Sequence, residues 1–499
     1  MSENGEYSAA GGSIMAPMRL DPATCYRALR ARDARFDGRF FVAVSSTRIY
    51  CRPVCTVRPP RRENCNYYPS AAAAEAAGYR PCLRCRPELA PGNATIDALE
   101  RTARAAARLI EEGAANDEGL EVAARRLGVS DRHLRRAFQA EFGVSPVEFA
   151  QTQRLLLAKQ LLTDTRLPVT EVAFASGFAS VRRFNALFRE RYRLRPRELR
   201  KASLPAAERD ALAFELGFRP PYDWPAMAAF LGARAIAGVE SCDGGAYRRT
   251  VRIAAGGREH RGWLEVGPLE GKRALGVRVS ASLAKALPPV LARVKSLMDL
   301  ACHPEEVAHA LGALAARRPG LRVPGAFDGF EIAVRAILGQ QVSVAAARTL
   351  AGRFAEAFGE ALETPFDSLK TLFPSADRVA KISEQRICRI GVPAARARTI
   401  LALARALERG ELELGPGAAL EPTLAKLRAI PGIGEWTAQY LALRALAWPD
   451  AFPHTDYGVM KAMKLTDPKR VLAAAERWRP WRAYAVMHLW QSLAKGEAK

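Results

Sequence analysis

The sequence predicts a multidomain chain, mainly α with α+β parts, and three observations lead there. Five of the nine cysteines crowd between residues 51 and 85, which marks a small metal-bound α+β unit. Two helix-turn-helix patterns follow, their turn glycines Gly128 and Gly177 set 49 residues apart. Strand-like apolar alternation is confined to roughly 212–300, between two helical stretches, and such an order argues for separate domains. At about 100–200 residues per domain, 499 residues accommodate the four units these observations imply. Their expected bounds are 18–92 for a small four-cysteine zinc α+β domain and 93–203 for a double helix-turn-helix domain. A small α+β sheet domain over 212–300 and an all-α domain over 301–495 complete the chain.

Composition narrows the class. Hydrophobic residues make up 49% and charged residues 25%, enough apolar material for several cores, so a disordered chain or a fibre is excluded. No run of about 18 apolar residues occurs, which argues against a helical membrane span. The opening segment MSENGEYSAAGGSIMAP lacks a basic start and an apolar core, so it reads as a loose tail rather than a signal peptide, with Met15 and Met18 as alternative starts. The formal net charge is +23, divided as +11 over residues 1–200 and +12 over the rest. A positive field spread through the whole chain suits a polyanion, most simply nucleic acid.

In the first unit, Cys51-x3-Cys55 and Cys82-x2-Cys85 form two close pairs separated by 26 residues. Each pair can grip one edge of a tetrahedral Zn²⁺ while the gap spans a small fold. Cys25 and Cys65 lie off this pattern and read as spectators. On spacing alone the site is structural. The surrounding segment FDGRFFVAVSSTRIYCRPVCTVRPPRRENCNYYPSAAAAEAAGYRPCLRCRP resembles the N-terminal domain of the Ada alkylation-response family. That resemblance implies a second role, in which the first cysteine of the set, here Cys51, accepts a methyl group from a DNA methylphosphotriester. Four thiolates on Zn²⁺ carry a net −2 charge and stay nucleophilic. Methylation lowers the charge to −1, an electrostatic switch toward DNA that operates once per molecule. The segment closes on PELAPGN, read as a Pro/Gly linker.

The second unit has helix, turn at Gly128 and helix over 120–138, with Ser130 as N-cap. The pattern repeats over 169–192 with Gly177 and Ser180. PVEFAQTQRLLLAKQLL between them reads as a long amphipathic helix. The pair resembles the AraC-type DNA-binding domain, which Ada proteins carry directly after the zinc unit. Side chains early in each second helix face the major groove in such domains. Here these are Asp131, Arg132, Arg135 and Arg136, then Arg182, Arg183 and Asn185. The later Arg189, Arg191, Arg193, Arg195 and Arg197 suit phosphates. A helical bundle with a solvated basic face is the competing reading. The second methyltransferase of full-length Ada, with its Pro-Cys-His-Arg acceptor, has no counterpart; Ala301-Cys302-His303-Pro304 only echoes it, so O6-alkylguanine is not an expected substrate.

In the third and fourth units YRRTVRI, WLEVGP and ALGVRVS read as strands, and LRAIPGIGEWTAQYLALRAL contains a helix-hairpin-helix. Its Gly432 and Gly434 let backbone N–H groups approach a DNA phosphate. VRAILGQQVSVAAARTL, the hairpin segment and RWRPWRAYAVMHLW resemble the AlkA-type 3-methyladenine DNA glycosylases, and LGFRPPYDWPAMAAFLGARAIAGVE resembles the small sheet domain that opens that family. The resemblance spans roughly 212–492 and makes the fourth unit a helix-hairpin-helix glycosylase domain. It implies base flipping, an aromatic pocket of Trp436, Tyr440 and Trp490, and Asp456 as the carboxylate that stabilises the sugar cation and directs water. Read without it, Trp436 and Tyr440 suit a core and Asp456 suits a helix N-cap. Trp436 stands where strand-cleaving relatives carry a nucleophilic Lys, so a monofunctional enzyme is expected. The C-terminal Cys quartet of an iron–sulfur cluster is absent. Gln341 occupies the place where AlkA-type enzymes present a Leu wedge.

The combined expectation is an alkylation-damage response protein. It releases 3-methyladenine-type purines, accepts a methyl group on Cys51 and activates transcription from specific promoters. A sensor-activator with a silent glycosylase domain is the alternative. One Zn²⁺ held by Cys51, Cys55, Cys82 and Cys85, RNA polymerase as the activator's target, a monomeric state, no membrane partner and a bacterial cytoplasmic, nucleoid-associated location complete it.

Overall fold

A computed structural model describes residues 21–91, 98–113, 119–200 and 210–494. Met15, Met18, the end of PELAPGN and most of the 200–212 linker lie outside the described residues. No helix among those described is long and apolar enough to cross a membrane.

The first unit is a four-stranded sheet in the order β3-β1-β2-β4, formed by Phe41–Val44 (β1), Ile49–Cys51 (β2), Cys65–Tyr68 (β3) and Arg80–Pro81 (β4). The helix Pro22–Ala31, capped by Asp21, and the helix Ala71–Ala76, capped by Ser70, pack beside it. The one parallel pairing, β2 with β4, sets Tyr50 opposite Pro81. Cys82 N–H then donates to Tyr50 O (3.0 Å). The two cysteine pairs therefore leave adjacent strands side by side.

Both helix-turn-helix patterns form as local signals dictate. Gly119–Arg126 and Asp131–Phe142 flank Gly128 at φ +67°, and Val169–Ala175 and Val181–Tyr192 flank Gly177 at φ +87°. Ser130 and Ser180 cap the second helix of each pair. The connecting helix Pro146–Asp164 opens with a capping box, Ser145 with Glu148. It is not amphipathic as read from sequence. Thr152, Lys159 and Gln160 are buried along with its leucines, because each polar group finds a partner in a neighbouring unit. Thr152 Oγ1 donates to Glu75 Oε2 (2.9 Å), Lys159 Nζ to Glu88 (2.6 Å) and Gln160 Nε2 to Glu215 O (3.2 Å).

Nor is 87–91 a free linker. Pro87–Leu89 form a 3₁₀ turn whose Glu88 meets Lys159, and Pro91 is buried. Both charges of the Glu88–Lys159 pair are 1–2% exposed, and Arg86 Nε also reaches Glu88 (3.1 Å), so Glu88 without Lys159 keeps one of its two cationic partners. Lys159→Met is expected to destabilise the zinc and helix-turn-helix region by about 1–3 kcal/mol, the loss of one hydrogen-bonded charged partner. Urea unfolding of the full chain, followed locally by hydrogen exchange, measures it.

The third unit is a five-stranded antiparallel sheet in the order β5-β9-β8-β7-β6. Its strands are Ala211–Gly217 (β5), Glu240–Asp243 (β6), Ala246–Ala255 (β7), Arg258–Pro268 (β8) and Ala274–Ser280 (β9). The three strands read from the sequence are the central ones, β7 to β9. The edges, β5 and β6, fall outside that reading. The remainder is helical apart from a two-residue ribbon, Glu360–Ala361 with Thr371–Leu372. Phe184 and Phe188 of the second helix-turn-helix, Val266 and Val279 of the sheet, and Ile337 and Leu441 of the last unit belong to one continuous buried cluster. The first helix-turn-helix has its own, around Leu134, Phe138 and Phe149. The units are thus fused through apolar contact.

Candidate active site and zinc centre

The aromatic residues expected in the base pocket come from distant helices. Trp436 and Tyr440 lie one turn apart on Glu435–Arg444, the second helix of the hairpin. Their rings stack at 5.3 Å with an interplanar angle of 13°. Trp490, on Arg482–Ala494, tilts toward Tyr440 at 6.4 Å and stacks on Phe230 at 6.4 Å. Phe230 comes from the sheet unit, so the two C-terminal units meet at this aromatic cluster.

Asp456 joins these elements. It caps the helix Tyr457–Met463, accepting the Val459 N–H at Oδ1 (2.9 Å). The same carboxylate accepts Trp490 Nε1 at Oδ1 (2.9 Å) and Trp436 Nε1 at Oδ2 (2.8 Å). The capping and catalytic readings of Asp456 are therefore compatible. Three donors occupy three of about four acceptor positions on a carboxylate. The charge is fixed between two indoles. Gly458 makes this closeness possible: a Cβ there would lie 3.1 Å from both Asp456 Oδ1 and Trp490 Cδ1.

The hairpin runs from Leu420–Ala429 through Pro431-Gly432-Ile433-Gly434 into the helix carrying Trp436. Gly432 has φ +89°, and a Cβ on it would come 2.1 Å from Thr399 Oγ1. Gly434 takes the N-cap position without a side-chain cap, which leaves the first N–H groups of that helix open to an anion. Gln341 is exposed, at φ +54°, in the turn after Gly329–Leu338. Its neighbour Gln340 donates to Gly432 O (2.9 Å) and Thr437 Oγ1 (3.1 Å). The turn bearing Gln341 is thereby tied to the hairpin. Gln340 and Phe230 escape a sequence reading, because nothing local marks a residue whose partners lie about 90 to 260 positions away.

At the other end of the chain, the Sγ atoms of Cys51, Cys55, Cys82 and Cys85 lie within 4.8 Å of one another. Four thiolates about 2.3 Å from one Zn²⁺ stand about 3.8 Å apart, so the set fits that ion. The Arg52 N–H donates to Cys85 Sγ (3.4 Å), the kind of contact that orients a ligand sulfur. The Arg52 guanidinium binds Asp37 and Cys85 O. Cys25 and Cys65 stay outside the cluster. Burial pushes the Cys25 thiol up to about 11, and burial also raises Cys65.

Among the recognition-helix candidates, Arg132, Arg182 and Arg183 are exposed, while Asn185 is half-buried. Arg135 is exposed but pairs with Asp131 (2.7 Å) one turn back, and Arg136 lies against His133 (3.4 Å). The second recognition helix therefore offers its charge more freely than the first.

Four family profiles match the chain in sequence. The metal binding domain of Ada covers residues 24–88 and a helix-turn-helix domain 123–202. The AlkA N-terminal domain covers 213–328, and the HhH-GPD superfamily of base excision DNA repair proteins covers 334–478. A Mycobacterium tuberculosis protein described as a probable bifunctional transcriptional activator/DNA repair enzyme AlkA is 39% identical over 95% of this chain and 97% of its own. Escherichia coli DNA-3-methyladenine glycosylase 2 is 39% identical over 56% of this chain and 96% of its own. The E. coli bifunctional transcriptional activator/DNA repair enzyme Ada is 36% identical over 32% of this chain and 45% of its own. The order of the four units, the four-thiolate zinc centre and the indole-gripped carboxylate agree with these matches: the chain belongs to the family of bifunctional transcriptional activator/DNA repair proteins that join an Ada-type zinc and helix-turn-helix half to an AlkA-type glycosylase half.

Proposed function

We propose that this protein excises alkylated purines of the 3-methyladenine type from double-stranded DNA as a monofunctional glycosylase. It also accepts methyl groups from DNA methylphosphotriesters on Cys51 and activates promoters through its helix-turn-helix pair. The observation that carries the glycosylase reading is the Asp456 carboxylate gripped by the Trp436 and Trp490 indoles. The hairpin N–H groups hold a phosphate while Gln341 fills the space left by the extruded base. Trp436, Tyr440 and Trp490 stack on that base, and their electron-rich faces favour a cationic one. As the N-glycosidic bond breaks, its electron pair leaves with the purine. Asp456 stabilises the positive charge on the sugar and orients the water that adds to it. Trp436, at the position of the strand-cleaving lysine, supplies no amine, so the product is an abasic site.

At the zinc centre, Cys51, Cys55, Cys82 and Cys85 hold the ion, which keeps their sulfurs deprotonated at neutral pH. Cys51 Sγ forms a bond to the methyl carbon as the phosphotriester C–O bond breaks, and the phosphodiester leaves with the electron pair. The activator binds its promoter as a monomer and touches RNA polymerase there. Arg182, Arg183 and Asn185 read base edges, and Arg189 to Arg197 follow the backbone. Arg183→Ala is then expected to weaken promoter binding by about 1–3 kcal/mol and relax one position of the recognised sequence. Arg197→Ala should lower the slope of log K against log salt by about 1. Titrations of promoter and random duplexes at several salt concentrations check both.

The test of the whole reading uses the full chain on methylated duplex DNA. Released bases are separated by chromatography, and the methyl group is located on the protein by mass spectrometry. Release of alkylpurine together with a methylated Cys51 is the expected outcome. Methylated Cys51 without base release from folded protein would leave the sensor-activator with a silent glycosylase.

A further inference from the structure

Among the described residues the two largest fully buried side chains are arginines, Arg219 at 1% exposed and Arg322 at 2%. Both lie where the zinc-bearing half meets the glycosylase half. Arg219 follows β5 by two positions. Its Nη1 donates to Ala301 O (3.1 Å) and Cys302 O (3.4 Å), and its Nη2 donates to Pro91 O (3.4 Å), at the end of the zinc unit. The carbonyls of the Ala301-Cys302-His303-Pro304 motif thus seat a guanidinium. Backbones close tightly around it. A Cβ on Gly38 would lie 2.1 Å from Pro91 O and 3.3 Å from Arg219 Nη2, and a Cβ on Gly217 would lie 2.1 Å from Leu89 O. At the rim, Arg39 of the zinc unit pairs with Glu306 of the last unit (2.8 Å), both 23% exposed, and Arg35 pairs with Glu305 (3.4 Å).

A buried guanidinium costs free energy that its hydrogen bonds and any nearby carboxylate must offset. Burial pulls Arg219 down to about 9, and the Asp37 carboxylate of the zinc unit works against that, so the group stays charged at neutral pH. The partners of Arg219 therefore come from both halves. If the zinc unit lifts away, Arg219 loses Pro91 O and the Asp37 charge together. On its other side, the Arg219 carbonyl accepts from Arg322 Nη2, which also donates to Pro221 O (3.0 Å). The residues after Arg322 continue toward the pocket. Val323 N–H donates to Asp299 Oδ2 (3.2 Å). Arg444, 3% exposed, donates to Pro324 O, to Gly325 O (3.0 Å) and, through Nη1, to the Tyr440 hydroxyl (2.9 Å). One contiguous series of packed and hydrogen-bonded groups thus runs from the zinc unit to the aromatic pocket.

We infer that Arg219 is a positioning residue that clamps the zinc-bearing half onto the glycosylase half, so that loosening this junction weakens base binding in the pocket. The pocket readout rests on the glycosylase reading; the clamp itself does not. Arg219 touches neither DNA nor the reacting atoms. It acts by holding the segment 322–325, whose carbonyls hold Arg444 against Tyr440. Coupling of this kind is a free energy shared by two sites, so it must be visible from either one. A perturbation in the zinc unit has to reach the amides around 301–306, and a perturbation at Arg219 has to reach the zinc unit. A residue that merely filled space inside the glycosylase half would do neither.

Hydrogen exchange of the full chain, read peptide by peptide, tests this together with base release from methylated duplex DNA. Arg219→Ala should speed exchange about tenfold in two places at once, residues 37–52 of the zinc unit and 301–306 of the last unit. It should also raise KM about tenfold with kcat little changed, because Tyr440 holds the base while Asp456 is untouched. Arg219→Lys, which keeps the charge, should recover part of each effect. Arg39→Gln approaches from the other side and removes only a rim pair, so it decides the question even if Arg219→Ala unfolds. It should speed exchange at 301–306 and raise KM by about two- to fivefold. Combined with Glu306→Gln, it should give less than the product of the two single effects. Faster exchange confined to the glycosylase half in Arg219→Ala overturns the inference. So does an Arg39→Gln protein whose 301–306 amides and KM match the wild type. Release of no base by folded wild type overturns the glycosylase reading, and the exchange pattern alone then decides the clamp.

Discussion

Replacing Asp456 with Asn is expected to lower kcat for base release about 10³-fold while leaving the protein folded. The two consequences separate because Asp456 does two things. As N-cap of Tyr457–Met463 it needs only an oxygen for the Val459 N–H, and Asn caps a helix as well as Asp does. As the pocket carboxylate it needs its charge. A full charge about 4 Å from the developing sugar cation contributes on the order of 4 kcal/mol at an effective dielectric of about 20, which corresponds to about 10³ in rate. The amide has one acceptor oxygen where the carboxylate has two, so its NH₂ must face either the Trp436 or the Trp490 indole N–H. That mismatch costs stability by about 1–3 kcal/mol, visible as a lowered Tm. Single-turnover release from methylated duplex, alongside thermal unfolding, separates the two effects. A fall in activity no larger than tenfold with an unchanged Tm would mean that Asp456 is a cap and little more.

Local signals carry much of the fold. Ser130, Ser180, Gly128 and Gly177 act within a few residues of themselves, so caps and turns are legible from spacing. The four thiolates are legible too, since pair spacing is what a tetrahedral ion constrains. What sequence reading misplaces depends on distant partners. The helix Pro146–Asp164 carries polar residues at intervals that suggest a wet face. Yet Lys159 is buried because Glu88 sits 71 residues earlier, and Thr152 because Glu75 lies 77 residues earlier. The two prolines of 87–91 mark where the chain turns, and a turn is silent about what packs over it. At Asp456 the sequence sets cap against carboxylate, whereas the geometry joins both roles in one side chain. Arg444 shows the same limit, since its donors reach Pro324 and Gly325 about 120 positions away.

Replacing Cys51 with Ala is expected to abolish methyl uptake altogether, whereas Cys25→Ala and Cys65→Ser should retain it. Burial keeps the Cys25 thiol protonated, near 11, and Cys65 is shifted in the same direction. Neither belongs to the four-sulfur cluster, so neither offers a thiolate at neutral pH. Cys51 is distinguished further by its place at the end of β2, where the parallel pairing with β4 brings it beside Cys82. The charge of the centre then decides the second readout. Arg52 follows Cys51 directly, but its guanidinium is committed to Asp37, so it does not offset the four thiolates. With Zn²⁺ bound the centre carries −2 and repels the DNA backbone. Methylation removes one unit, and at an effective dielectric of about 20 a charge roughly 5–10 Å from a phosphate is worth about 1.5–3 kcal/mol. Methylated protein should therefore bind promoter DNA about 10- to 100-fold more tightly than unmethylated protein. The gain should shrink as salt is raised, because the interaction between the centre and DNA phosphates across solvent is screened over about 8–10 Å at 0.1–0.15 M ionic strength. Titration of both forms across a salt series measures it. Equal affinities at low salt would mean that the methyl group is removed from DNA without being signalled through charge, leaving Cys51 a repair acceptor and the helix-turn-helix pair indifferent to its state.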